Sequence, residues 1–435
     1  MAEQVKRKAT EDLDNDILVA LYDHRHLTLP QICVYCGYDV ENKYRLKFNR
    51  RLQILIAKNL VRRRRLPQIG MVGNPIYVYY LTENGVGHAV ATLGIPYNRY
   101  GPDNKIIEKN HFDAKELMVS DRLLPHHYHT QNWIIEFIRQ IRSVYGNEML
   151  TTLGLSFKEP KRMPHYVNQI GHVTHRPDWI ISVGHSNLTI NLEMDMGTEN
   201  TRKITSKFHN YAEWFRDNPQ SGKHVILFAS HTEKNITRRR NIKRLAIEYL
   251  GEFILEDRLE VIEGASALTI DWLISYLEKL IEPERRDIFS EALQISYDPN
   301  QTGLIAQYTY IEACEKLGKQ IPSCDKVHFL FKKHANTKHR VIFQLQAEPG
   351  SCLSEMQRYD LSIFANSMSN AEYDCFVYLV HDSHENRMDD VPTFHAFNNV
   401  LSIDLHTMSQ KGLRHAWKWS ESKRTWKRVE VNLIE

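Results

Sequence analysis

Two short apolar runs in the middle of the chain carry acidic residues at or near their ends. Asp178 precedes the first run, Trp179–Val183, while Glu193 and Asp195 lie in the second, Leu188–Met196. Each run has the length and composition of a buried β-strand. Burying an unpaired charge is costly, so these acids need partners. If the two strands are neighbours in one sheet, the three carboxylates converge and offer the oxygen ligands that Mg²⁺ or Mn²⁺ binds.

Helical and strand periodicity alternate around these runs. Helices are predicted over residues 132–145, 203–215 and 238–250, and strands over 149–157, 178–183, 188–196 and 224–229, with a further short stretch over 253–262. Alternation of this kind is typical of an α/β domain, which we assign to residues 126–275. With the helices and hairpin described next, the chain is predicted to be α/β (α+β overall).

The first 98 residues have a different pattern. Residues 1 to about 14 are polar and predicted to be disordered, and a short helix follows over 16–23. Thr28 and Gln31 have the spacing of a capping box, so they predict a second helix, which ends near Gly37. A third helix, over 41–59, has apolar positions at three- and four-residue spacing, namely Tyr44, Phe48, Leu52, Leu55 and Ile56.

A strand pair and a basic stripe complete this region. Strands over 60–66 and 76–82 flank a tip punctuated by proline and glycine, and a fourth helix is predicted from Glu83. The whole chain has a net charge of only +3, yet ten Lys or Arg and no acid lie between Lys43 and Arg65. A local basic stripe on a nearly neutral chain indicates a polyanionic partner, most often nucleic acid.

The order helix, helix, basic helix and hairpin over residues 14–95 resembles a winged helix-turn-helix domain. The resemblance implies that the third helix enters the major groove of double-stranded DNA and that the hairpin touches the backbone. The alternative is a solvated basic helix in a protein-interaction domain of the same fold. The candidate DNA-binding residues are Lys43, Arg45, Lys47, Arg50 and Arg51 on the helix, and Arg62, Arg63, Arg64 and Arg65 on the first strand, which more readily meet phosphates.

The central order of elements resembles the restriction-endonuclease-like (PD-(D/E)XK) core. The resemblance implies that Asp178 and Glu193 hold Mg²⁺ or Mn²⁺ and that a lysine two residues after the second acid helps to activate water. Asp195 occupies that lysine position here, so Lys207 or Lys203 on the following helix is the candidate replacement. This departure equally fits an inactive or weak domain whose acids pair with those lysines. The candidate catalytic residues are Asp178, Glu193, Asp195 and Lys207, and the candidate metal ligands are Asp178 and Glu193.

A broader resemblance covers residues 15 to about 230. A winged helix followed by Arg176-Pro177-Asp178 and by the acidic run ending at Gly197 resembles the replication-relaxation family of bacterial plasmids and mobile elements. It implies a DNA-binding protein that acts in replication, relaxation or mobilisation of its element. The alternatives are a non-enzymatic transcriptional or copy-number regulator, a metal-dependent endonuclease, and a structural partner in a replication or conjugation complex. Replication or conjugation proteins and a second copy of the chain are further candidate partners.

The remaining segments receive coarser predictions. Residues 99–125 are predicted to be a linker with a short helix over 113–119. Residues 276–435 form a further α/β domain, and Val341–Gly350 aligns with the run ending at Gly197. Two explanations of this sequence similarity remain open: a degenerate second copy of the central domain, and coincidence between two apolar strands. In the alignment, Gln346 replaces Glu193 and Glu348 replaces Asp195, which would weaken metal binding.

Composition adds few constraints. Six cysteines in 435 residues do not suggest a disulfide framework, although Cys33 and Cys36, with His24 and His26, form either a small zinc site or a packed cluster. No apolar run approaches the roughly 18 to 20 residues of a membrane span, so we expect a cytoplasmic protein without a membrane partner. The tryptophan-rich tail over residues 414–427 fits phosphate and base contacts or an exposed strand pair.

Overall fold

The protein has a mixed α/β structure, which confirms the predicted fold class. It divides into two compact units, Met1–His165 with Arg176–Ser186, and Tyr166–His175 with Asn187–Glu435. None of the helices in the described part of the chain combines the length and apolar character that crossing a bilayer requires. The computed structural model describes residues 10–38, 40–67, 75–103, 105–146, 150, 152–158, 175–184, 186–231, 235–281, 305–308, 310–317, 319–330, 338–370, 373–382, 384–394, 399–405, 407 and 415–430.

The first unit begins with helices that pack around a small sheet. Strand β2 pairs antiparallel with β3, and β1 pairs with the other edge of β3. The tip predicted between β2 and β3 falls mostly on residues 68–74, which lie outside the described residues. The elements in chain order are α1 (Thr10–His24), β1 (Leu27–Thr28), α2 (Leu29–Tyr35), α3 (Asn42–Ala57), β2 (Val61–Arg65), β3 (Tyr77–Leu81) and α4 (Glu83–Thr92).

Local sequence signals explain most of these boundaries. The Thr28 backbone N–H donates to Gln31 Oε1 at 2.7 Å at the start of α2, and Gly37 follows its end with a left-handed φ of +82°. The predicted apolar face of α3 supplies Phe48, Leu52 and Leu55 to the core. The prediction of disorder up to residue 14 was wrong over residues 10–14. Helix α1 begins at Thr10, and Leu13 is fully buried.

The rest of the first unit contains a two-stranded ribbon, a long helix and a pair of antiparallel strands. The segment predicted as a linker contains ordered elements, including the expected short helix. The long helix begins at Leu124 rather than at Asn132, because Pro125 is tolerated in a first turn. The elements are β4 (Arg99–Tyr100), β5 (Ile106–Glu108), α5 (Ala114–Leu117), α6 (Leu124–Tyr145), β6 (Leu155–Lys158) and β7 (Trp179–Val183), with β6 and β7 antiparallel.

The second unit opens with three parallel strands connected by helices. Strand β9 lies between β8 and β10, and both pairings are parallel. The stretch predicted over 253–262 divides between the end of α8 and β10. The elements are β8 (Leu188–Asp195), α7 (Thr201–Asp217), β9 (His224–Ser230), α8 (Ile236–Leu255), β10 (Leu259–Ala265) and α9 (Ser266–Ile281).

A seven-stranded sheet forms the rest of the second unit, with its strands in chain order. Strands β13, β14 and β15 are parallel neighbours, and the tail forms the antiparallel pair β16–β17. The elements are β11 (Ile305–Tyr308), α10 (Tyr310–Leu317), β12 (Lys326–Leu330), β13 (His339–Gln346), α11 (Cys352–Met368), β14 (Tyr373–His381), α12 (His384–Asp389), β15 (Val400–Asp404), β16 (His415–Ser420) and β17 (Thr425–Glu430).

The β8–β10 and β13–β15 segments share a strand order and direction. The strand register pairs Glu193 with Phe228 in one and Gln346 with Val380 in the other. After each first strand, a glycine adopts a left-handed φ, +73° at Gly197 and +80° at Gly350. The idea of a degenerate second copy stays a prediction.

Candidate functional site

Glu193 lies near the carboxyl end of β8 and is buried, with a relative exposure of 1%. Its carboxylate accepts three hydrogen bonds. Lys207 Nζ donates to Oε2 at 2.9 Å, while Tyr211 Oη donates to Oε1 at 2.9 Å and His175 Nε2 lies 2.7 Å from Oε1. Lys207 and Tyr211 are four residues apart on α7, so they share one helix face. This Glu193 cluster, defined as Glu193, His175, Lys207 and Tyr211, gives the buried acid the partners it needs.

The charge state of Glu193 follows from these contacts. Burial by itself would raise its pKa. The positive charges of Lys207 and His175 and their hydrogen bonds outweigh burial and lower the pKa to about 2. Glu193 is therefore ionised at neutral pH.

Of the two candidate replacement lysines, Lys207 is the one beside Glu193. Its ammonium also pairs with Glu199 at 3.0 Å. Lys203 lies one turn earlier and is exposed, with its backbone N–H bound to the N-terminal capping residue Asn200 at 3.0 Å. The spacing along α7 thus makes Lys207 the lysine that reaches the strand.

Asp195, at the lysine position of the nuclease pattern, is bound by an arginine. The Arg238 guanidinium donates to both carboxylate oxygens, at 2.6 Å each, and the Gly197 backbone N–H donates to Oδ1 at 2.9 Å. The hydrogen bond to Asp195 raises the pKa of Arg238. Arg238 was not among the residues predicted from the sequence, although the run of three arginines that starts α8 was a visible signal.

Asp178 belongs to the first unit and Glu193 to the second. Asp178 is half-buried just before β7, and His126 Nε2 of α6 lies 3.4 Å from its Oδ2. The convergence of Asp178 with Glu193 stays a prediction. Within the described residues, no group of three or more His, Cys, Asp or Glu is arranged to hold a metal ion.

The basic side chains of α3 differ in exposure. Lys43, Arg45 and Arg50 are exposed, while Lys47 is half-buried with its ammonium 5.4 Å from the centre of the Tyr38 ring. Arg51 lies on the protein side of the helix and forms an ion pair with Asp14 of α1, with Nε 2.8 Å from Oδ1. Arg51 therefore has a structural partner that the sequence did not reveal.

The arginines of β2 divide in the same way. Arg62, Arg63 and Arg65 are exposed, and Arg63 lies over the Tyr77 ring at 4.9 Å. Arg64 is half-buried, pairs with Asp121 at 2.9 Å and donates to the carbonyl oxygen of Val119. Three of the four arginines are thus presented to solvent.

The Cys33–Cys36 region has the character of a packed cluster. Cys33 is fully buried, and burial raises the pKa of its thiol to about 12. His24 stacks on Tyr35 with ring centres 3.6 Å apart, and His26 stacks on Tyr80 at 5.0 Å. Cys33 belongs to the hydrophobic core of its unit, with Cys36 packed against that core.

These features define a mixed α/β protein with a basic helix, α3, in its first unit and a buried acid–lysine cluster in its second. A model of the replication-relaxation family matches residues 18–248, which contain α3, the Glu193 cluster and most of α8. The chain belongs to the replication-relaxation family, as the sequence motifs predicted. Searches of curated proteins and of solved structures gave no significant match.

Proposed function

We propose that this family member is a DNA-binding protein that acts in replication, relaxation or mobilisation of its own element. Residues 1–98 would form a winged helix-turn-helix domain, with α3 as the recognition helix and β2–β3 as the wing. Residues 126–275 would be a nuclease-like domain that contacts the same DNA. The exposed basic face of α3 is the observation that carries this proposal.

The positions of the basic residues support major-groove binding. The apolar face of α3 packs on the core of its unit, so Lys43 and Arg50 extend from the opposite face, as base contacts require. Arg62 and Arg65 on the neighbouring strand are exposed and suit the flanking phosphates. Arg51 and Arg64 have internal ion-pair partners, so we assign them to stabilising the domain rather than to DNA.

The test is a double substitution on α3. Lys47→Ala with Arg50→Ala should weaken binding of double-stranded DNA. It should also reduce the salt slope, which is the slope of log binding constant against log salt concentration, by roughly 0.9 for each phosphate that is no longer neutralised. Fluorescence anisotropy with a labelled duplex at several salt concentrations measures both quantities. A matched control is Arg99→Ala with Lys105→Ala, which removes the same charge from exposed residues of the β4–β5 ribbon.

Three outcomes are distinguishable. A weakening confined to the α3 variant supports the recognition-helix assignment. Equal affinity and salt slope in the α3 variant and the unmodified protein would contradict that assignment. Equal weakening in the α3 variant and the β4–β5 control would show that only the overall positive charge matters, and would also contradict it.

A metal-dependent endonuclease is the second candidate function. The contact between Lys207 and Glu193 favours it, because a lysine beside the second acid is what the nuclease pattern requires. The oxygens of Glu193 are engaged by Lys207, His175 and Tyr211, and a cation would have to displace some of them. The residues as arranged do not fit Mg²⁺ or Mn²⁺, and we derive no step through a metal.

A further inference from the structure

A recess of about 420 Å³ lies between the first turns of α7 and α8 in the second unit. Its polar lining consists of threonine, asparagine and arginine side chains, and among its described lining residues there is no carboxylate. The residues that matter for its chemistry are Thr201, Thr237, Arg238, Arg240, Asn241 and Arg244.

The three arginines differ in how strongly they are bound by other residues of the protein. Arg238 holds Asp195, and Arg240 donates to Glu421 at 2.9 Å. Arg244 is exposed and pairs with Glu248 at 3.4 Å, an exposed contact that solvent screens. Arg244 is therefore the cation that can most readily turn to a ligand.

Hydrogen-bond donors and helix ends add to the positive character of the recess. Arg244 Nη2 donates to Asn241 Oδ1 at 3.0 Å, which orients the amide of Asn241 towards Thr201 on α7. Helices α7 and α8 have no acidic residue in their first turns. The partial positive charge at each helix start is therefore not offset by a carboxylate of the helix itself, although Asp195 of β8 binds Arg238 in the first turn of α8.

We propose that this recess binds the phosphate group of a nucleotide, with Arg244 as its principal cation. Guanidinium, amide and hydroxyl groups are the donors that recognise phosphate, and the volume exceeds that of a phosphate alone. The phosphate belongs either to the DNA backbone or to a free nucleotide. Binding of a DNA phosphate in the recess rests on the proposed function, whereas binding of a free nucleotide is independent of it.

The recess is directly connected to the Glu193 cluster. Arg238 lines the recess and binds Asp195, two residues from Glu193, and it also donates to the backbone carbonyl of Glu199, whose carboxylate pairs with Lys207. A phosphate held here therefore lies next to the acidic strand end. Arg238 therefore links the recess to Asp195 at the end of β8.

The test compares Arg244→Ala with Arg216→Ala in the full chain. Arg216, near the end of α7, is similarly exposed and pairs with Glu252 at 3.1 Å, so it matches Arg244 in charge and environment. One assay is duplex binding by fluorescence anisotropy over a salt series. The other is the rise in melting temperature caused by millimolar thymidine monophosphate.

Arg244→Ala is expected to weaken duplex binding on the order of tenfold, the usual effect of removing a hydrogen bond to a charged group, and to lower the salt slope by roughly 0.9. Arg216→Ala should leave both unchanged. A selective loss of thymidine monophosphate stabilisation, with DNA binding intact, would assign the recess to a free nucleotide. Arg244→Ala behaving like Arg216→Ala in both assays would overturn the proposal. The α3 variant would still test the winged-helix assignment separately.

Discussion

At the scale of single residues, the stability of the Glu193 site depends on Lys207. The carboxylate is 1% exposed and the lysine side chain 18%, so the pair lies largely outside solvent screening. We expect Lys207→Met to lower the free energy of unfolding by about 3 kcal/mol, because it leaves a buried charge with fewer partners. Urea denaturation measures this change. Lys203→Met, on the exposed face of the same helix, is the control and should change stability little.

The same pair has a definite pH dependence. The folded pKa of Glu193 is about 2, below its ordinary value of 4.5. A lowered carboxyl pKa stabilises the folded state fully above the ordinary value, and this contribution is lost as the pH falls from 4.5 towards 2. The difference between the unmodified protein and Lys207→Met should therefore be largest near pH 5 to 7 and shrink below pH 4. A difference independent of pH would show that the ion pair is not its origin.

Glu260 on β10 is predicted to behave in the opposite way. Burial raises its pKa to about 8, although Ser351 Oγ donates to its Oε1 at 2.8 Å. A raised carboxyl pKa costs stability as the pH rises from 4.5 to 8, by up to about 1.4 kcal/mol per pH unit. Glu260→Gln should have little effect near pH 4.5 and raise the melting temperature increasingly up to pH 8. Glu252→Gln, exposed on α8, is the control, and a constant offset at all pH values would contradict the assignment.

Residue-level partners were the least predictable part of the site. The strand pattern identified Glu193 and Asp195, and the nuclease resemblance left Lys207 or Lys203 as the candidate lysine, between which the structure decided. His175 and Arg238 are far from these acids in sequence and belong to no apolar periodicity. Only the folded chain brings them together, so the sequence indicated that the acids needed partners and offered the lysines of α7, but not His175 or Arg238.

At the scale of elements, apolar periodicity predicted most of the longer helices and strands between residues 16 and 262, and for these the errors fell mainly at their ends. The start of α6 was missed because Leu124-Pro125-His126 lacks a helical apolar pattern. Tertiary contacts stabilise that first turn, where Leu124 is fully buried and His127 Nε2 lies 3.0 Å from the carbonyl oxygen of His24. Contacts of this kind cannot be read from local sequence.

The turn after β13 offers a test of close packing between elements. Gly350 has a φ of +80°, its carbonyl oxygen accepts from the Glu263 backbone N–H at 3.0 Å, and a Cβ there would collide with the carbonyl oxygen of Glu263. Gly350→Ala should therefore cost about 3 to 4 kcal/mol of unfolding free energy.

Gly37 provides the matched control for that substitution. Its φ is +82°, and a Cβ there would meet no atom within 4 Å. Gly37→Ala should cost about 1 kcal/mol, the penalty of the left-handed conformation alone. Thermal and urea denaturation of both variants measure the difference. Equal destabilisation would show that the contact with Glu263 contributes nothing beyond the backbone conformation.

At the scale of the whole molecule, a buried ion pair joins the two groups of parallel strands within the second unit. Lys243 of α8 is 3.2 Å from Glu355 of α11, and both are almost fully buried. The Arg358 guanidinium also contacts Glu355 and Asp390. The boundary that the sequence suggested near residue 275 stays a prediction, while the Lys243–Glu355 pair spans that position and residues 187–435 belong to one compact unit. Charged partners more than a hundred residues apart give no periodic signal, so the sequence could not have revealed this joining.

The engaged acids of the second unit bear on whether the intact protein cleaves DNA. Glu193 and Asp195 are bound by Lys207, His175 and Arg238, so Mg²⁺ or Mn²⁺ would have to break buried, charge-assisted contacts before binding. We therefore expect supercoiled plasmid to be bound but left uncut, with either metal or with EDTA, as gel electrophoresis would show. Metal-dependent nicking that disappears in Glu193→Gln and Asp178→Asn, with duplex binding retained, would establish the endonuclease instead. Nicking that persists in both variants would indicate a contaminating nuclease and leave the expected outcome standing.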